Sequence, residues 1–269
     1  MSRPTTGAGR ALRGLGALLA LAAAWPAQAR AGPPAEGEPA RPLLAGLAEV
    51  GTTPHLRAIA GLGRPFERWV GVLADGWVND SMTSATLGAR FELQAVNLDL
   101  HWRATRRFTP AVLPPLAHHT ALPSGPGQTV RALDVDLWGG LPAPGGYLLW
   151  EGQATRLLDL PASVHVFDEG VHGIVRPPWS GLASLGWVAD LRGGDLQVGG
   201  TVELAFLGRG AARRVRAGPL LSWRLSTHLD LRGQLLWPVD GPDRLPLWPS
   251  LGGGLALGWR DATGWPPLR

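Results

Sequence analysis

Val96-Asn97-Leu98-Asp99-Leu100-His101-Trp102-Arg103-Ala104-Thr105 decides the fold. Val96, Leu98, Leu100, Trp102 and Ala104 occupy one phase of a two-residue period, and Asn97, Asp99, His101, Arg103 and Thr105 the other. A helix would gather apolar side chains every three or four residues, so this pattern reads as a strand with one apolar and one polar face. Immediately upstream, Ala85, Leu87, Ala89, Phe91 and Leu93 alternate with Thr86, Gly88, Arg90, Glu92 and Gln94. The apolar phase flips at Gln94-Ala95, which predicts a tight turn there, or else a β-bulge.

The same period recurs downstream. Leu196, Val198, Gly200, Val202, Leu204 and Phe206 form one face, opposed by Gln197, Thr201 and Glu203. Val215 to Leu225, Leu229 to Trp237 and Leu251 to Arg260 follow, with Ser226-Thr227-His228 as a turn. Less regular segments span Trp69 to Val78, Thr129 to Trp138, Gly146 to Arg156, Ala162 to Asp168 and Leu182 to Leu191. Gly139-Gly140, Gly145-Gly146, Gly193-Gly194 and Asp240-Gly241-Pro242 punctuate them. Several segments run to ten or eleven residues, the roughly 9–11 that cross a bilayer at a tilt rather than the five or six usual in globular strands. Eleven segments result, whereas single-chain bacterial barrels have an even number of strands. The expectation is therefore an all-β, antiparallel up-and-down transmembrane β-barrel of about ten strands, with eight or twelve as the alternatives.

Composition agrees with a membrane setting. Charged residues are 17% and apolar ones 45%, so less solvated surface is available than a soluble domain carries. The 38 Gly and 25 Pro follow no collagen-like period and read as strand punctuation. The absence of cysteine excludes disulfides, thiolate metal sites, a cysteine nucleophile and a lipidated N-terminal Cys. The pI near 11.0 reflects the absence of lysine beside a small surplus of arginine, so it does not argue for nucleic acid.

Arg3, Arg10 and Arg13 precede an apolar run from Gly14 to Ala24, and Ala27-Gln28-Ala29 offers a small-x-small cleavage site. Residues 1–29 thus read as a signal peptide, too short in its apolar part for the ~20 residues of a spanning helix. Its removal takes the formal charge of +4 down by three arginines, to about +1. Residues 30–63, with Pro33-Pro34, Glu36 to Pro39 and Pro42, read as a Pro/Gly-rich lead-in with room for a short helix from Leu43 to Val50. The barrel is placed at 64–260 and a tail at 261–269.

Whether the apolar face meets lipid or a soluble core is argued from tryptophan. Trp69 and Trp77 share a face about 26 Å apart, close to the height of an outer band between aromatic girdles. Trp102, Trp138, Trp223, Trp237 and Trp259 also sit toward segment ends, where an amphipathic ring suits the headgroup level. With these features the chain resembles outer-membrane β-barrel proteins of Gram-negative bacteria as a class, over residues 64 to 260. Ser250-Leu251-Gly252-Gly253-Gly254-Leu255-Ala256-Leu257 is similar to the C-terminal assembly signal of that class, although a ten-residue tail follows Trp259 where such barrels often end on an aromatic. The resemblance implies outer-membrane lipid and the outer-membrane assembly machinery as partners, and the cell outer membrane as the location.

Chemistry is thinly marked. No phosphate loop, dinucleotide fingerprint, zincin motif or nucleophile elbow is present. His118-His119 are adjacent imidazoles that point apart in extended chain. Asp99 with His101, and Asp134 with Asp136, fall on polar faces and could serve as acid/base pairs, or be lumen charges satisfied by Arg103, Arg90 or Arg131. Ser222, Ser226 and His228 have no spacing that fixes a nucleophile and its base. No catalytic, cofactor or metal site is assigned. Three function classes stand: a structural or small-solute barrel, a barrel hydrolase active at its rim, and an exported soluble β-sandwich that binds a ligand or partner.

Overall fold

The computed structural model describes residues 40–51, 55–64, 68–78, 82–93, 96–114, 125–168, 170–171, 173–191, 195–208, 213–225, 229–241 and 250–260. Fifteen strands are found among them: β1 (Arg41–Gly51), β2 (His55–Arg64), β3 (Arg68–Val78), β4 (Met82–Leu93), β5 (Val96–Arg107), β6 (Val112–Leu113), β7 (Thr129–Ala143), β8 (Gly146–Leu158), β9 (His165–Asp168), β10 (Gly173–Val175), β11 (Trp179–Leu191), β12 (Leu196–Phe206), β13 (Arg213–Arg224), β14 (Leu229–Asp240) and β15 (Ser250–Arg260). All but β6, β9 and β10 follow one another around a closed antiparallel barrel, and β1 meets β15 from Ala45↔Arg260 to Gly51↔Gly254. Closure removes the free edges that an open sheet would expose to lipid or to other chains.

The barrel has twelve strands, one of the two alternatives to the ten expected first. Ten of the eleven sequence segments are barrel strands, and the phase flip at Gln94-Ala95 is the junction between β4 and β5. Two corrections restore the even count. Residues 41–64, expected as lead-in with a short helix, form β1 and β2. The segment Ala162 to Asp168 yields only β9, which leaves the barrel and pairs with β6 and β10 in a separate three-stranded sheet. Residues 1–39, His118-His119, the Ser226-Thr227-His228 turn and the tail 261–269 lie outside the described residues.

Side-chain alternation settles which way the faces point. Leu62, Val72, Leu87, Leu133, Leu185 and Val202 are among the outward residues and are 45–63% exposed. The opposite row holds Arg90, Glu92, Asp99, Arg103, Asp134, Glu203 and Arg216, all buried. Apolar outside and charged inside is the reverse of a soluble sandwich and is what a lipid-facing barrel requires.

Connections differ sharply between the two ends. At one end only two to four residues separate consecutive strands at 94–95, 144–145 and 192–195, and the sheet also begins at Arg41 and ends at Arg260 there. Gly145, at φ 73°, makes the two-residue turn between β7 and β8. At the other end, 52–54 and 79–81 are also short, but 108–128, 159–178 and 241–249 are long. The three-stranded sheet is made from two of these long connections.

Candidate functional site

The described parts of two long connections, 108–128 and 159–178, fold back into the barrel mouth. Val166 on β9, Val171 just before β10 and Val175 at its end pack with Val130 and Ala132 of β7, Leu157 of β8 and Ala205 of β12, all inward wall residues and all buried. Gly208, at φ 91°, sits so close to the carbonyl of Arg176 that a side chain there would clash, and the two residues form a bridge between the β10–β11 and β12–β13 connections. The small sheet is therefore seated against the wall rather than capping it loosely.

Polar contacts pin it in place. Asp168, at the end of β9, accepts hydrogen bonds from Arg103 Nη2 on β5 (2.9 Å) and from Ser180 Oγ on β11 (2.7 Å). Arg103 also donates through Nε to Asp134 on β7 (2.7 Å), which in turn accepts from Thr155 Oγ1 on β8 (2.6 Å). One guanidinium thus joins two carboxylates across four wall strands and the small sheet, and Arg103, Asp134, Asp168, Thr155 and Ser180 are each at most 7% exposed. Gly170 passes so near that a Cβ would stand 2.9 Å from Gln153 Nε2 and 3.4 Å from Arg103 Nη2. Further anchors are the Arg107 guanidinium, 4.4 Å above the Phe167 ring, and Arg214, which donates to the Val171 carbonyl.

Below the small sheet the polar pairs expected from sequence come together. Asp99 of β5 stands opposite Asp136 of β7, and His101 opposite Asp134. His101 Nε2 lies 3.3 Å from Asp134 Oδ2 and 3.6 Å from Asp136 Oδ2. Asp99 is engaged by Arg90, whose Nε donates at 2.6 Å, and Arg103 takes Asp134, so two of the three proposed neutralising arginines do what was expected. Arg131 does not, since it points outward and reaches only the exposed Asp159 at 3.9 Å. His101 Nδ1 and Asp136 Oδ1 remain without hydrogen-bond partners, as do Asn97 Oδ1 and Arg90 Nη1. Ser222 is on the inward row of β13, near the short-turn end and away from this group. Among the described residues, no three His, Asp or Glu side chains are arranged to hold a metal ion.

Toward the short-turn end, two tryptophans that had been expected outside lie buried on the inward row. Trp69 is 4% exposed and Trp138 6%. Trp69 donates from Nε1 to Glu92, and its ring lies on Gly61 and Gly71, where a Cβ would come within 2.7 Å and 2.5 Å of it. Trp138 lies 5.3 Å from the Arg90 guanidinium, which is itself buried. Trp77 shares the inward row of Trp69, whereas Trp102, Trp223 and Trp237 do face outward. The error had a physical origin: Gly61 and Gly71 leave room inside for an indole that alternation alone cannot place.

No family model and no curated protein matches the chain. Among solved structures it is similar to the β domain of the Bordetella autotransporter Brka, at 14% identity, with 82% of this chain and 98% of that chain covered and a TM-score of 0.36.

Proposed function

We propose that the protein is an outer-membrane β-barrel of structural or small-solute type, held closed by a plug built from its own long connections. The observation that supports this most directly is Asp168, carried into the mouth on β9 and held by Arg103 and Ser180 of the wall. A buried ion pair broken on one side leaves an uncompensated charge, so the plug resists displacement. Below it, Arg90 and Arg103 neutralise Asp99 and Asp134, so these two carboxylates serve as lumen charges held in ion pairs. The apolar exterior opposes the soluble sandwich.

Export through a signal peptide ending near Ala29 and folding by the outer-membrane assembly machinery belong to the same proposal. Mass spectrometry of protein from the envelope fraction should find an N-terminus near Arg30, and an intact Met1 there would refute the leader. Planar-bilayer recording tests the plug: the intact protein should conduct little. Replacing residues 160–177 by a short Gly/Ser link should open a steady conductance. A large steady conductance in the intact protein would overturn the closed reading.

A further inference from the structure

Not every charge in the wall faces the lumen. On β5, β7 and β8 the carboxylates Asp99, Asp134, Asp136 and Glu151 all occupy the inward row, while Arg106, Arg131 and Arg156 occupy the outward row and are exposed. Their order is set by register. Arg131 stands opposite Ala104 and Leu158, two residues from Arg106 on one side and from Arg156 on the other. Such diagonal neighbours are roughly 7–8 Å apart, so the three guanidinium groups form an oblique row across three adjacent strands. Trp179 extends it: it is the direct partner of Arg156 on β11, is 51% exposed, and its ring lies 5.7 Å from the Arg156 guanidinium. All four lie within three residues of the strand ends that carry the long connections. A carboxylate beside the row, Asp159, reaches Arg131 at 3.9 Å with both side chains more than 60% exposed, a contact that water largely screens.

A row of arginines on a lipid-facing surface needs an anionic partner at the depth where it sits. Short turns face the periplasm and long connections the exterior in outer-membrane barrels, so this row lies at headgroup level in the outer leaflet. Guanidinium groups present paired donors that match phosphate oxygens, and an indole at the same level suits the boundary between headgroup and acyl chain. We infer that Arg106, Arg131, Arg156 and Trp179 form a binding strip for the phosphate groups of a phosphorylated glycolipid in the outer leaflet. The inference rests on the membrane-barrel reading proposed above.

The test uses the full mature chain in phosphatidylcholine nanodiscs, with and without a bisphosphorylated lipid A, and native mass spectrometry to count retained lipid. Insertion is scored separately by the mobility of unboiled protein in phosphatidylcholine alone, so failure of the membrane reading shows there and not in lipid selectivity. The native protein should retain lipid A in preference to phosphatidylcholine. Retention should fall at least about tenfold in an Arg106→Gln/Arg131→Gln/Arg156→Gln variant that still inserts, and modestly in Arg131→Gln alone. Dephosphorylated lipid A should not be selected, and millimolar inorganic phosphate should not displace the lipid. Arg68→Gln, an outward arginine at the short-turn end, should leave retention unchanged. Equal retention by the native and triple-variant proteins, selection of the dephosphorylated lipid, displacement by free phosphate, or an equal loss in the Arg68 variant would each overturn the inference.

Discussion

Arg103 concentrates much of the lumen's electrostatics in one side chain. It is 7% exposed and satisfies Asp134 and Asp168 together, so replacing it by methionine keeps most of the apolar stem but strands two buried carboxylates. Arg103→Met should lower stability by about 3–5 kcal/mol, read as the urea midpoint of unfolding in detergent. Arg131→Met, equally an arginine of a barrel strand but outward and exposed, should change it little. Equal effects at the two positions would mean that Arg103 does not hold the plug. Part of this was legible in the sequence: Arg103 and Asp134 fall on polar faces by parity alone, and Arg90 and Arg103 were the expected partners of these acids. Asp168 was not, because its segment lacks alternation and nothing in a linear pattern shows a connection turning back into the mouth. Trp69 was assigned to the wrong side for a related reason. Parity says that Trp69 and Trp77 share a face, but only the glycines around the ring, Gly61 on β2 and Gly71 on β3 itself, say which face has space for it.

At the scale of the elements, the strands that sequence pattern revealed are those with contrast between faces. β5 alternates apolar with polar residues from Val96 to Thr105, and its bounds differ from the expected ones by two residues at one end. β1 has no such contrast, since Leu43, Leu44, Ala45, Gly46, Leu47 and Ala48 are apolar or small in both phases. β2 dilutes its pattern with Ala58, Ala60, Gly61 and Gly63. Pro42 strengthened the linker reading, yet proline is tolerated at the start of a strand, and β1 pairs with β15 only from Ala45 onward. Closure makes these two strands indispensable: without them β3 and β15 would be left with unpaired edges. A chain lacking residues 41–64 should therefore fail to give the compact, fast-migrating form on unboiled gels, whereas removing residues 30–39 should not matter. A truncated chain that still migrates as a folded barrel would show that the seam lies elsewhere.

For the whole molecule the decisive question is which surface meets lipid. Val202 and Thr201 are neighbours on β12 that face opposite ways: Val202 is 52% exposed, and Thr201 lies on the inward row beside Glu203. Arginine placed at Val202 near mid-span should cost about 2–4 kcal/mol, and serine at Thr201 much less. Folding cost alone does not separate a lipid face from a soluble core, because both reject a charge. Spin labels do. At Leu100 and Val202 a label in reconstituted protein should collide with lipid-soluble oxygen and be shielded from a water-soluble nickel relaxant. At Thr201 the oxygen effect should be weak, with the nickel effect set by how much water enters beneath the plug. The two outward sites lie on different walls, β5 and β12, so agreement between them tests the barrel as a whole rather than one strand. Protection of both from oxygen and nickel alike would mean that the apolar face is covered by protein, and the transmembrane barrel would have to be abandoned.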